Sequence, residues 1–243
     1  MDGFKNPEIV SNRLKDMRSL REQIPKMPCI RCGEVYRGYE ENFICSSCLE
    51  RERRIRDNEI QRRRVVKHLL EESGVPKRYR GAELKPIGEN QIRVVEYFRE
   101  NFIYKENIDK STDILIFGSI GTGKTYLSCG FAIEFIKKRL LDVKYTTEYQ
   151  LLNLFFMKRY SEFEKFRDST VLIVDEIGKR ELVDWQKIQL EELFSHRYNE
   201  MLPTIYITNL LQAQFKRFIG ERLVDRLKEN SIKSFGFGGD SLR

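Results

Sequence analysis

The stretch 114–128, Ile-Leu-Ile-Phe-Gly-Ser-Ile-Gly-Thr-Gly-Lys-Thr-Tyr-Leu-Ser, limits what this chain can fold into more than any other. An apolar run at 114–117 breaks at Gly118, passes through Gly121 and Gly123, and resumes beyond Lys124 and Thr125 with helical period. That is a strand, a glycine loop and a helix, with the G-x-x-x-x-G-K-T spacing of a phosphate-binding loop. The glycines let successive backbone N–H groups turn inward around a phosphate with no Cβ in the way, and the helix N-terminus adds positive dipole. The expected ATP contacts are Gly118, Ser119, Ile120, Gly121, Thr122, Gly123, Lys124, Thr125 and Tyr126. Lys124 would reach the β- and γ-phosphates, and Thr125 would place its hydroxyl on Mg²⁺. The bland alternative is a glycine-rich turn with an incidental lysine, which neither the strand before it nor the helix after it favours.

About fifty residues on, the apolar segment Thr-Val-Leu-Ile-Val-Asp-Glu at 170–176 ends in two carboxylates. A buried strand ending in acids is common. After a phosphate loop, however, Asp175 is placed to complete the Mg²⁺ shell and Glu176 to orient and deprotonate the attacking water. A further apolar strand, 203–209, ends in Asn209. Asn is ordinarily a turn former there, but at the C-terminal edge of a parallel sheet its amide would help to place that water. Arg222 and Arg226 lie four apart on one helical face, with pairing to Glu221 or Asp225 as the structural alternative.

Ahead of this region stand two Cys-x-x-Cys turns, Cys29/Cys32 and Cys45/Cys48, separated by twelve residues. Two such turns complete a tetrahedral Zn²⁺ site with no open position, so the metal would be structural; paired redox dithiols are the alternative. The intervening 33–44 reads as a small hairpin. Cys129, on the helix after the phosphate loop, reads as a small packing residue.

The chain of 243 residues, 40% hydrophobic and 33% charged, has room for one α/β domain and a smaller module. No apolar run approaches the roughly 20 residues that span a bilayer, and residues 1–7 lack a signal-peptide core, so a cytosolic protein with no membrane partner is expected. The net charge of +7 is concentrated at Arg51, Arg53, Arg54, Arg56, Arg62, Arg63 and Arg64. Such a run suits a phosphate backbone or an acidic protein face, and equally a solvated helix face.

Periodicity predicts helices over 4–24, 49–73, 90–104, 148–160, 182–198 and 212–219, with strands at 113–117, 143–146 and 232–237 besides those above. Tyr149, Phe155 and Phe156 read first as core packing, and as a base-stacking surface second. Gly74 and Pro76 suggest a boundary, with an N-terminal helical and zinc-binding domain at 1–73 (zinc module 25–52) and an ATPase domain at 74–243.

Together these motifs, with Gly-Glu-Arg-Leu-Val-Asp-Arg-Leu at 220–227 and Gly-Asp-Ser-Leu-Arg at 239–243, resemble the AAA+ ATPases of the DnaC/DnaI helicase-loader group, which includes the IstB transposition helpers. The resemblance implies an α/β, three-layer P-loop domain of the ASCE type with a central parallel sheet and no helical lid. It implies sensor 1 at Asn209, an arginine finger at Arg226 offered to a neighbouring subunit, and a sensor 2 role for Arg243. It also implies self-association through the ATP sites, a replicative DnaB-type helicase held by the N-terminal domain, and single-stranded DNA gripped by a helical insertion at 149–160 with Lys158 and Arg159. Transposition helper, binding duplex DNA, is the alternative within the same group.

Overall fold

The computed structural model describes residues 23–38, 43–105, 112–229 and 232–238. The helix expected over 4–24 lies outside the described residues apart from its last two, which form a turn, and the terminal 239–243 with Arg243 lies outside them as well.

The chain divides into two compact units, Met1–Arg63 and Arg64–Arg243. In the first, strands β1 (Lys26–Pro28) and β2 (Val35–Arg37) pair antiparallel with Met27 opposite Tyr36. The hairpin thus encloses the first cysteine pair instead of lying within 33–44, because the tight turn closes at Gly33, whose N–H donates to the Cys29 carbonyl at 2.8 Å. The division between the units falls inside the long helix α1 (Ser46–Glu72). Its last turns lay Val66, Leu69 and Leu70 against the core of the second unit, whereas the arginines at 51–64 are all exposed.

The second unit opens with a 3₁₀ turn (Lys77–Tyr79) and α2 (Glu89–Phe98), which runs on as a π-turn over Arg99–Ile103. Then come β3 (Ile114–Gly118), α3 (Lys124–Arg139), β4 (Val143–Thr147), α4 (Glu148–Phe156), α5 (Tyr160–Arg167) and β5 (Val171–Ile177). The chain continues through α6 (Asp184–Asn199), β6 (Thr204–Thr208), α7 (Gln212–Ile219), α8 (Glu221–Glu229) and β7 (Lys233–Phe237). The five strands β3 to β7 form one parallel sheet in the order β4-β5-β6-β3-β7. Among the described residues, no helical bundle follows α8.

Strand alternation builds two apolar layers, one on each face. Ile114, Ile116, Val171, Ile173, Ile205 and Ile207 face α2 and α3, while Leu115, Leu172, Val174 and Tyr206 face α4, α6, α7 and α8. Burial on both faces is why these strands read as continuous apolar runs. On the first face Phe98 stacks on Phe131 (ring centroids 4.3 Å) and meets Phe135 edge-on (4.7 Å), which fixes α2 on α3. On the second, the buried Arg197 donates to the carbonyls of Arg167 (2.8 Å), Ser169 (2.9 Å) and Pro203 (2.8 Å) and so ties the entries of β5 and β6 together. Burial lowers its guanidinium to about 10.

The expected helix over 148–160 is two helices. It breaks after Phe156, with Lys158 at φ 56°, and a separate helix, α5, begins at Tyr160, a break the periodicity did not signal. Most of its aromatic side lies outside the core. Glu148, Leu151 and Leu152 are the buried residues of α4 and Phe155 is half-buried against Phe163, whereas Tyr149 and Tyr160 are exposed and Phe156 is 72% exposed.

Candidate nucleotide site

The C-terminal ends of β3, β6 and β5 lie side by side, with Phe117 opposite Thr208 and Ile177 opposite the same Thr208. Between β3 and α3 the loop turns at Gly118, whose φ is 140°. A Cβ there would fall 1.9 Å from the Phe237 carbonyl oxygen on β7, so only glycine lets the two strands approach. Ser119 N–H donates to that same carbonyl at 3.2 Å.

Lys124, the first residue of α3, is buried, and its Nζ donates back to the carbonyls of Gly118 (2.8 Å) and Ser119 (2.6 Å). Burial lowers its pKa and Asp175 opposes that shift. The Thr122 hydroxyl also donates to the Ser119 carbonyl (2.9 Å), and Gln91 of α2 donates to the Thr122 carbonyl (3.0 Å). Ile120 and Tyr126 are exposed at the rim, where Tyr126 OH accepts from Glu83 N–H at 3.3 Å. The loop is thus held in a cradle by its own lysine and by α2, and a phosphate would replace carbonyls as the lysine's partner.

Across the sheet, Thr125 Oγ1 donates to Asp175 Oδ2 at 2.7 Å, so the two residues expected at a Mg²⁺ touch. A hydroxyl and a carboxylate oxygen are a donor set suited to a hard cation. A residue that sequence reasoning missed reaches the same oxygen: Tyr145 OH on β4 donates to Asp175 Oδ2 at 2.6 Å. Burial and the Asp175 charge hold that phenol protonated, well above its usual range. Cys129, buried beneath, is pushed up to about 12 by burial and is inert packing.

Glu176 is exposed, sits at φ 58°, and pairs with Lys179 at 2.7 Å. Its own N–H donates to Asp175 Oδ1 at 2.6 Å. Glu148, a second missed residue, is buried at the head of α4 and accepts from Gly178 N–H at 2.7 Å. Its one sequence signal was the capping box, in which Thr147 Oγ1 accepts from Gln150 N–H (3.2 Å) and Gln150 Oε1 from Thr147 N–H (3.1 Å). Asn209 is exposed at the end of β6, one residue beyond the Thr208 that faces Phe117.

Arg226 lies apart from this cluster. Its guanidinium donates to Ser195 Oγ on α6 and lies 5.7 Å from the Tyr198 ring, while Arg222 pairs with Glu191 at 3.3 Å. Both arginines therefore reach α6, and neither makes the alternative pairing with Glu221 or Asp225. A separate cleft of about 810 Å³, lined by Arg180, Lys187, Phe194 and Arg217 among others, does not include the glycine loop.

In the first unit the four sulfurs of Cys29, Cys32, Cys45 and Cys48 all lie within 4.8 Å of one another, and Cys32 and Cys45 are 3.7 Å apart. Tetrahedral Zn–S bonds of about 2.3 Å require sulfurs about 3.8 Å apart. The Cys45 backbone N–H donates to Cys29 Sγ at 3.3 Å and holds that thiol down to about 6, whereas Cys45 Sγ pushes Cys48 up to about 12. Four crowded thiols resist joint ionisation without a cation, and the donor set fits a zinc module.

The profile of the IstB-like ATP binding protein family matches residues 48–243. The chain is 25% identical over 248 residues to the replicative helicase loader DnaC of Escherichia coli strain K12, covering 95% of this chain and 97% of that protein. It is 31% identical over 146 residues to an ATP-binding protein of insertion sequence IS5376 from Geobacillus stearothermophilus, covering 56% and 57%. A crystal structure of the DnaC helicase loader superposes with a TM-score of 0.57 at 24% identity over 67% of this chain and all of that one. With the glycine loop, the paired strand ends and the family profile in agreement over most of its length, the chain belongs to the IstB-like ATP-binding proteins, P-loop ATPases of AAA+ architecture.

Proposed function

We propose that the protein is an ATP-dependent loader that delivers a replicative DnaB-type helicase onto single-stranded DNA, hydrolysing ATP at interfaces between protomers. The observation that carries this reading is the extent of the likeness: DnaC aligns over nearly the whole of both chains, and the IS5376 protein over little more than half. The higher identity over that shorter stretch, with the IstB-like profile, favours a transposition helper as the second reading.

In the proposed reaction Lys124 exchanges its bonds to the Gly118 and Ser119 carbonyls for the β- and γ-phosphates. Thr125 and Asp175 would hold Mg²⁺, which when bound neutralises phosphate charge. Glu176 leaves Lys179, an exposed pair worth about 0–1 kcal/mol, and takes the proton of the attacking water, which Asn209 helps to place. Arg226 serves the neighbouring protomer's phosphates after releasing Ser195. Domain 74–243 is the motor, and 1–73, with zinc on the four cysteines, holds the helicase.

The exposed corner of α4 and α5 is the proposed grip on single-stranded DNA. Arg180 lies 4.6 Å from the Tyr149 ring, and Phe156 and Trp185 stack at 6.4 Å. Lys158, two residues beyond Phe156, is exposed, and Arg159 is exposed and paired with Glu162, from which a phosphate would have to draw it. Flat rings with flanking cations suit stacked bases and a phosphate backbone.

The test is retention of the host's replicative helicase by the purified protein with ATP, with ADP and without nucleotide, followed by helicase deposition on circular single-stranded DNA. Retention and ATP-dependent deposition are expected; no retention in any nucleotide state overturns the reading, and retention of a transposase on duplex DNA in its place favours the second. Chelation of zinc is expected to open 25–52 to limited proteolysis while the melting of the ATPase unit stays unchanged. An unaltered N-terminal digest after metal removal would contradict a structural zinc.

A further inference from the structure

One peptide bond just beyond Glu176 is held from both sides by buried side chains. The Ile177 carbonyl accepts from Thr208 Oγ1 at 2.6 Å, and the Gly178 N–H at the other end of the same bond donates to Glu148 Oε2 at 2.7 Å. Thr208 is 1% exposed and Glu148 4%. Glu176 itself has no regular ladder to hold it, because the β5–β6 register shifts between Val174 and Ile177. Its φ of 58° is a conformation that L residues avoid and that persists only where the surroundings over-determine it. The Thr208 hydroxyl also accepts from Leu210 N–H at 3.0 Å, so the same side chain spans Asn209.

We propose that Glu148 is a positioning residue for ATP hydrolysis, which, with Thr208 opposite, clamps the Ile177–Gly178 peptide and thereby sets the direction of Glu176. The proposal rests on the reading of Glu176 as the base. Glu148 does not touch the nucleotide site; it acts through the backbone. Burial pushes its carboxyl up to about 7, and in either protonation state an oxygen remains to accept from Gly178 N–H. An amide in its place offers the same acceptor, whereas a methyl offers none. An acid that served only the helix dipole of α4 would behave otherwise, since the amide would lose that charge as fully as the methyl does.

The experiment measures steady-state ATP turnover and fluorescent-nucleotide binding in the full-length protein for Glu148→Ala, Glu148→Gln and Thr208→Val, with Glu176→Gln as reference. Glu148→Ala is expected to lower kcat about tenfold or more while KM and nucleotide Kd stay within about threefold, and Glu148→Gln to restore kcat to within about threefold of the parent. Combined with Glu176→Gln, Glu148→Ala adds no further loss. Thr208→Val shows the same split and carries the test if Glu148→Ala does not fold. Parent-like kcat in Glu148→Ala, an equal loss of binding and turnover, or a Gln variant as slow as Ala overturns the clamp. Full turnover by Glu176→Gln removes the base and the clamp with it; an inactive Glu176→Gln beside an active Glu148→Ala removes the clamp alone.

Discussion

Lys124→Ala weakens ATP binding by orders of magnitude while leaving the fold intact. The lysine is the one side chain of the loop whose cation is already enclosed among backbone carbonyls, at 2.8 Å from Gly118 and 2.6 Å from Ser119. Its burial carries a cost that shows as a lowered pKa, and a phosphate anion would offset that cost. Hydrogen bonds to charged groups are worth about 1.5–3 kcal/mol each, so losing two to phosphate oxygens weakens binding by about 10²- to 10⁴-fold. Titration with a fluorescent ATP analogue measures this, with circular dichroism to verify the fold. Affinity within a few-fold of the parent would mean that phosphates are held elsewhere.

Glu176→Gln keeps ATP affinity and loses hydrolysis. The amide preserves the size of the side chain but cannot take a proton, and general-base catalysis is worth about 10²- to 10⁴-fold in rate. The structural cost is small, because the pair with Lys179 that the amide weakens is exposed on both sides. Nothing in the substitution disturbs Lys124, Thr125 or Asp175. Single-turnover hydrolysis is the measurement, and a parent-like rate would show that Glu176 is not the base.

The strand–loop–helix core was legible because its constraints are local. The 114–125 segment needs glycine at particular steps, and the strand at 171–177, buried on both faces, leaves an unbroken apolar run before Asp175. Tyr145, Glu148 and Thr208 were not legible as parts of the site. Each looks like an ordinary strand or helix-start residue, and each reaches Asp175 or the 177–178 peptide only once the sheet order sets β4 and β6 on either side of β5. The break after Phe156 was hidden for a different reason. No glycine or proline marks it, and Lys158 adopts the left-handed region without the usual residue for that conformation. Before the break, α4 buries Leu151 and Leu152, leaves Phe155 half-buried against Phe163, and presents Tyr149 and Phe156 to solvent, so of the three aromatics assigned to the core only Phe155 packs partly inward. At the cysteines the gathering of the four sulfurs was readable from spacing, but the hairpin was misplaced because the turn closes at Gly33, at the head of the alternating 33–44 stretch.

The most direct measurement of the central claim is a crystal structure with a non-hydrolysable ATP analogue and Mg²⁺. The β- and γ-phosphates are expected in the 118–125 loop with Lys124 Nζ on them, the metal touching Thr125 and Asp175, and Glu176 turned from Lys179 toward the γ-phosphate. An analogue bound in the cleft lined by Arg180 and Arg217, or a loop left empty at saturating analogue, would contradict it.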